Sequence, residues 1–520
     1  VNPAAVTVGG PGGAVAAGHP LTANAAAEVL RAGGNAFDAA LAAMCAATVA
    51  EPVLASFGGG GFLLARPAGQ AARLFDFFAQ TPMRGPEPHG RDFHSVVADF
   101  GAAQQEFHIG LGSMAVPGAV DGLFHVHRAL GRMPLERLVE PALAVARDGY
   151  ELTPFQGYLF DVVGQIYMAG EEARHIFARP GASDRLIGAG DRFRNPDAAD
   201  FLDALVREGR DLFYMGEVAH RVAEDCRAGG GTLTERDLAA YRTEERQPLS
   251  VDFAGARILT NPPPSTGGLL IAFALKVLEG AGGLGGPWGA PSHLTALARA
   301  LDLTDGARRD AGPDHLVRLL APETVAAYRG ALALHPQVRR GTTHISVIDG
   351  DANACALTLS NGEGSGYVVP GTGVMMNNML GEEDINPHGF DSWPPGVRLG
   401  SMMAPTAVLA RDRLHVLGSG GSNRIRTAIL QVILNLVAFA MPAEAAVAAP
   451  RIHVERGHLD IEPGWPREAR DAVTAEFSDF RAWPERNLFF GGVHTAVRGA
   501  ADFEAAGDPR RAGAAAVLDA

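Results

Sequence analysis

The stretch from Gly341 to Gly366, GTTHISVIDGDANACALTLSNGEGSG, decides the fold. HISVID alternates as a half-buried strand should, GDAN is a turn and ACALTLS is a second strand, so residues 344–360 are predicted to form a β-hairpin. Two threonines, Thr342 and Thr343, open it directly after Gly341 and the basic pair Arg339 and Arg340. A threonine hydroxyl is a poor nucleophile unless a base adjoins it, and a threonine at a chain terminus supplies its own. The free α-amino group titrates near pH ~8 and lies within hydrogen-bond reach of the same residue's hydroxyl. That chemistry requires the 341/342 bond to be cut. Gly341, lacking a Cβ, can adopt the dihedrals that let the Thr342 hydroxyl attack its carbonyl. Residue types alone favour the plainer reading, a strand that merely begins Thr-Thr.

Downstream, TAVLA, the turn RDR and LHVLG form a second predicted hairpin, which ends at GSGGSN before the long helix RIRTAILQVILNLVAFA. Backbone N–H groups of a glycine turn at a helix amino terminus suit a developing oxyanion, because the donors are fixed and the helix dipole favours negative charge. Taken alone, Gly418–Ile425 reads as a helix cap. With a candidate nucleophile in the same chain, acyl transfer is the simplest chemistry.

Upstream, LTANAAAEVLRA and FDAALAAMCAATVA read as two alanine-rich helices, the first stopping at Gly33 and Gly34 and the second capped by Asn35. Gly58–Gly61 run into a strand, FLLA, rather than opening a helix as a phosphate-binding loop does. Residues 134–240 are mostly helical, strand character returns after DLAAYR, and 285–340 is helical and loop-like. Helices with two groups of hairpins imply a layered α/β fold with much antiparallel sheet.

Composition narrows the function. The 520 residues are 47% hydrophobic and 20% charged, an ordinary globular balance. A net charge of -14 argues against a nucleic-acid partner. Lys276 is the only lysine, and Cys45, Cys226 and Cys355 lie far apart, so neither a disulfide framework nor a zinc cluster is indicated. His125 and His127 would share a strand face as a metal pair, but with no third ligand nearby they read as ordinary side chains. No metal and no cofactor is expected. The longest apolar run, Ala428–Met441, is shorter than a bilayer span and reads as a buried helix, so no membrane partner is expected. The amino terminus has no basic region followed by an apolar core, so no signal peptide is expected and the compartment is cytoplasmic unless a leader was trimmed.

TTHISVID, SGYVVPGTGVMMNNML, SMMAP and GSGGSNRI occur in the order and approximate spacing of the γ-glutamyltranspeptidases, and GGNAFDAALAA, EPVLASFGGGGFLL, GSMAVPGAVDGL, DLAAYR and PPPSTGG match further blocks. The sequence resembles that family over nearly its whole length. The resemblance implies an αββα sandwich of the N-terminal nucleophile hydrolase type. It implies a precursor that cuts itself between Gly341 and Thr342 into a large subunit, 1–341, and a small one, 342–520, both within one domain. A homodimer of such heterodimers is left open. Thr342 falls on the family's nucleophile and Ser360 on the hydroxyl that holds its amine. Asn361 lies close to a substrate-contacting asparagine. The oxyanion hole falls on Gly420 with Gly421, or on Gly421 with Ser422.

Departures from the family concern the substrate. Where its members carry an arginine that clamps the substrate α-carboxylate, FDFFAQTP places Phe78, followed by Ala79 where they have glutamate. A serine pair becomes Ser401 and Met402, an acceptor becomes Met379, and the amine-binding acid falls on Glu382. A shifted arginine such as Arg84 is the alternative. The expected activity is hydrolysis or transfer of a γ-glutamyl or related acyl amide, the chemistry of glutathione metabolism. One alternative is an acylase on a non-glutamyl amide, as in the cephalosporin acylases. Another is an unprocessed relative that only binds a ligand.

Overall fold

The computed structural model describes residues 8–9, 12–85, 90–99, 104–280, 284–310, 319–321, 324–325, 342–386 and 389–519. Gly341, the Arg339–Arg340 pair and most of 311–341 lie outside the described residues.

Two sheets stack face to face. The larger has eight strands in the order Val8–Gly9, Ala514–Asp519, Gly13–Ala17, Thr343–Asp349, Ala354–Ser360, Gly60–Arg66, Arg73–Phe77 and Glu244–Arg246. The second has six: Leu249–Phe253, Ala256–Thr260, Thr406–Leu409, Leu414–Gly420, Gly492–Arg498 and Phe503–Ala506. Apart from the parallel outermost pair of the larger sheet, neighbours run antiparallel. Both expected hairpins form. The first is closed by Asp349 Oδ1, which accepts from Asn353 N at 2.9 Å. The second is closed by Ala410 N donating to the Arg413 carbonyl at 2.9 Å.

Side-chain parity divides the larger sheet. Leu63, Ala65, Phe75, Phe77, Ile345, Val347, Leu357 and Leu359 pack into one core with the helices Pro20–Arg31 and Ala36–Ala50. Phe62, Leu64, Leu74, Ile348, Ala354 and Ala356 face a second core shared with Val408, Val416 and the helices of the far layer. This alternation is what a two-residue strand repeat produces when both faces are covered. The arrangement is an αββα sandwich.

The helix start at Asn35 is a reciprocal cap. Asn35 Oδ1 accepts from Phe37 N and Asp38 N, each at 2.9 Å, while Asp38 Oδ2 accepts from Asn35 N at 3.0 Å. Three expectations fail. The strand Thr343–Asp349 is buried along its whole length rather than half-buried, because helices cover one face of its sheet and the second sheet covers the other. The long helix after the glycine turn spans Arg424–Val437 and stops short of Met441, where the Phe439 and Met441 N–H groups turn back onto the Leu434 and Asn435 carbonyls. His125 and His127 lie on the helix Ala119–Leu130, not on a strand. Two positions apart on a helix they diverge, and they bond separately, to Glu245 Oε1 at 3.0 Å and to the Met133 carbonyl at 2.7 Å. Among the described residues no cluster of side chains could hold a metal ion, and no helix is long and apolar enough to cross a membrane.

Candidate active site

The hairpin register builds the site. Thr343 pairs with Leu359, so one step further Thr342 stands opposite Ser360. Ser360 in turn pairs with Gly60, and the Gly61–Phe77 pairing places Phe78 opposite Gly60. Thr342, Ser360, Gly60 and Phe78 therefore form one row across the sheet, and by parity they face the second sheet. Glycine is required in this row: a Cβ at Gly60 would meet the Phe77 carbonyl oxygen at 2.7 Å, and one at Gly59 would strike the carbonyl of Ser360.

The second sheet meets that row at the end of its Leu414–Gly420 strand. Gly420 is the last strand residue, paired with Gly492, and a Cβ on it would collide with the Thr342 carbonyl oxygen. Beyond it Gly421 and Ser422 turn with φ of 121° and 54° before the helix begins. The first helical N–H groups are taken by the turn itself, Arg424 N by the Gly421 carbonyl at 3.1 Å and Ile425 N by the Ser422 carbonyl at 2.9 Å. Ser422 Oγ donates to Asp384.

Around this core Thr342 and Ser360 are buried, and Ser360 Oγ accepts from Gly362 N at 3.1 Å. Asn361 is fully buried, and neither its amide oxygen nor its nitrogen has a hydrogen-bond partner among the described residues. A buried amide in that condition calls for a bound group or water. Glu382 is also buried, its carboxylate against Gly362, where a Cβ would clash with it and with Asn378. Ser401 Oγ accepts from Met403 N at 3.1 Å, and Met402 Sδ lies 3.5 Å from Thr266 Oγ1.

Phe78 is 1% exposed and stacks on Phe62 with ring centroids 5.3 Å apart, within a cluster that also holds Met379, Leu399 and Met403. Arg84 is exposed. The guanidinium that does approach Phe78 belongs to Arg398, which donates to the Phe78 and Arg242 carbonyls, each at 2.6 Å, and lies 3.6 Å from Asp76.

Three residues near the site escaped the sequence reading. Arg511, 4% exposed, reaches the Thr342 carbonyl with Nη1 at 3.4 Å. Burial lowers its pKa to about 10, with Arg424 adding to the effect, so it remains a cation at neutral pH. Its only sequence signal is the Arg510–Arg511 pair in a tail of small residues. Glu51 accepts from Thr22 Oγ1 at 2.7 Å and Thr343 Oγ1 at 2.6 Å on the helix side of the sheet, and burial raises its pKa. Asp384 is the third.

Comparison with known proteins agrees with this architecture. The family described as Gamma-glutamyltranspeptidase matches residues 22–518. The acylase ACY 1 proenzyme of Pseudomonas sp. (strain SE83) is 32% identical over 493 residues, covering 89% of this chain and 86% of its own. The glutathione hydrolase proenzyme of Pseudomonas aeruginosa is 31% identical over 474 residues, 85% of this chain and 83% of its own. The crystal structure of a cephalosporin acylase from Bacillus halodurans superposes with a TM-score of 0.83 at 25% identity, covering 99% of this chain and 97% of that one. The chain belongs to the γ-glutamyltranspeptidase family and is an enzyme of the N-terminal nucleophile hydrolase fold.

Proposed function

We propose that the protein cuts its own 341/342 bond and then acts as an amide acylase through Thr342. The observation that carries the reading is the row that sets Thr342 opposite Ser360, with the Gly420–Ser422 turn packed on the Thr342 main chain. In this reading the 1–341 and 342–520 pieces stay together, and the freed Thr342 amine takes the proton of its own hydroxyl as Oγ1 attacks the substrate carbonyl. Ser360 Oγ holds that amine. The Gly421 and Ser422 N–H groups, with Gly420 fixing the turn against Thr342, receive the oxyanion. The amine then returns its proton to the leaving group, and water or an acceptor amine releases the acyl group. Asn361, Glu382 and Ser401 contact the substrate's polar atoms.

For the acyl end, the substitutions favour an amide without an α-amino-acid head. Phe78, Met379 and Met402 replace groups that would grip charges, and all three pack in or against one apolar cluster with Leu399 and Met403. A buried guanidinium with no bidentate carboxylate partner would be costly there. The likeness to an acylase proenzyme and to a cephalosporin acylase supports this side. The second reading, a γ-glutamyl amide, rests on Glu382, an acid placed to meet an amine, and on the glutathione hydrolase relative.

The deciding experiment is a hydrolysis screen of γ-glutamyl, glutaryl and longer acyl p-nitroanilides, run beside a denaturing gel. Two bands and preference for a non-glutamyl acyl group are expected. A strong preference for the γ-glutamyl compound moves the assignment to the second reading. A single full-length band with no turnover leaves only a ligand-binding protein.

A further inference from the structure

We propose that Asp384 is a positioning residue for the oxyanion turn, holding Ser422 in the conformation that aims its N–H at the substrate. The inference rests on the reading of Gly421 and Ser422 as the oxyanion donors.

Ser422 has φ of 54°, the left-handed region where a side chain bearing a Cβ is disfavoured. Nothing in the covalent chain forces it there, so the surroundings must. Asp384 supplies the restraint with both carboxylate oxygens: Oδ2 accepts from Ser422 Oγ, and Oδ1 lies 3.4 Å from Asn423 Nδ2. One carboxylate thus bridges two consecutive residues of the turn.

Asn423 confirms where the turn is anchored. It stands at the helix N-cap, yet its side chain caps nothing in its own helix. Its Nδ2 instead donates to Glu455 Oε1 at 2.7 Å, and Glu455 is held by His453 Nε2 at 3.2 Å and Arg308 Nη2 at 3.3 Å. The turn is therefore fixed from the Ile452–Glu455 strand on one side and from Asp384 on the other. Asp384 sits in the segment that also carries Glu382, and that segment is closed on itself by Asn386 N donating to the Glu382 carbonyl at 3.0 Å. The acid against the Asn361–Gly362 turn and the clamp on the oxyanion turn therefore belong to one short, self-bonded segment.

A carboxylate near a developing oxyanion would raise the barrier if its charge were the point, so its contribution is geometric. Geometry held by a side-chain bond has a distinctive test, because glycine adopts positive φ without a restraint. Asp384→Ala is made in the wild-type and Ser422→Gly backgrounds and assayed with the acyl p-nitroanilide that the wild-type enzyme hydrolyses. In the Ser422 background kcat should fall about tenfold or more, the factor for loss of a charge-assisted hydrogen bond. KM should stay within about twofold. In the Ser422→Gly background, whatever its own rate, the same replacement should change kcat less than about threefold. Equal losses in both backgrounds, or no loss in the first, would overturn the proposal. If Asp384→Ala yields no folded protein, Asp384→Asn, which keeps one acceptor, should give a smaller kcat loss that again shrinks in the Ser422→Gly background. A Thr342→Ala control separates the two levels of inference: activity remaining in it removes the acyl-transfer reading itself, whereas additivity at Asp384 removes only the clamp.

Discussion

Thr342 and Thr343 are neighbours in sequence but face opposite layers of the sandwich. Thr342 shares the row of Ser360 beneath Gly420, whereas Thr343 Oγ1 donates to Glu51 Oε2 at 2.6 Å on the helix side. Thr342→Ala should leave one full-length band and no turnover. Thr343→Val should still be cut, with the small piece beginning at Thr342. It should lose stability by about 1–3 kcal/mol, because the buried Glu51 carboxylate loses a donor. Amino-terminal sequencing and urea unfolding check the pair, and the opposite pattern would move the nucleophile to Thr343.

Arg511 places a buried cation on the carbonyl of Thr342, the proposed nucleophile. Arg511→Lys keeps the charge but shortens the reach and loses the planar fork. Turnover should fall by about tenfold, in line with one charged hydrogen bond, with far less effect on KM. Steady-state kinetics on the processed enzyme decide it, and an unchanged kcat would make Arg511 a purely structural residue.

Phe78 is held by Phe62 in the inter-sheet core, so converting it to arginine tests specificity and packing together. Phe78→Arg alone should lower the unfolding midpoint, because it buries a guanidinium in an apolar cluster. Combined with Met402→Ser it should move the ratio of kcat/KM toward γ-glutamyl over non-glutamyl anilides, by about tenfold for a restored charged contact. A wild-type enzyme that already prefers γ-glutamyl anilide, and loses that preference on removal of the exposed Arg84, would overturn the apolar assignment.

Buried histidines set an acid limit on stability. Burial lowers His19, His293, His415 and His494 from 6.5 to about 4, and places His344 well below its usual range. Below pH ~6.5 the unfolded chain binds more protons than the folded one, so stability rises with pH across this window and is lost as pH falls toward about 4. Asp508 acts mainly below this window: burial raises its pKa, but Arg451 and Arg510 prevail and hold it at about 2, so its contribution is lost as pH falls through the unfolded carboxylate value toward that figure. Urea midpoints at pH 7, 6 and 5 should fall in that order, and His415→Gln should flatten the slope by about one proton. A flat profile would contradict the burial of these rings in the folded enzyme.

Hairpins and helix caps were legible in the sequence because each is written in adjacent residues. The alternation of HISVID, the Asn35–Asp38 pair and the turn residues at 349–353 carry their conformations locally. The row from Thr342 to Phe78 was not legible, since it depends on the register of four strands far apart in sequence. Arg511 reaches Thr342 only because the carboxy-terminal strand pairs with Gly13–Ala17 in the same sheet. Asp384 was invisible for a related reason: its partner Ser422 lies across a gap that no periodicity spans. His125 and His127 misled because the spacing of two histidines says nothing of the period of the element that bears them.

The order of strands across the larger sheet has a mechanical consequence. The hairpin that follows Thr342 is flanked by Gly13–Ala17 on one side and Gly60–Arg66 on the other, both from the opposite side of the proposed cut. Once the bond is broken, the two pieces are threaded through each other like the fingers of clasped hands, and separating them means pulling a hairpin from the middle of a sheet. Folding must therefore precede cutting. A full-length Thr342→Ala chain should refold from urea as a single unit, while the cleaved enzyme, whose pieces diffuse apart once unfolded, faces a bimolecular search for a slot that exists only when the rest is already built. For such a protein maturation works as a ratchet: the chain is free to fold reversibly only until it becomes active.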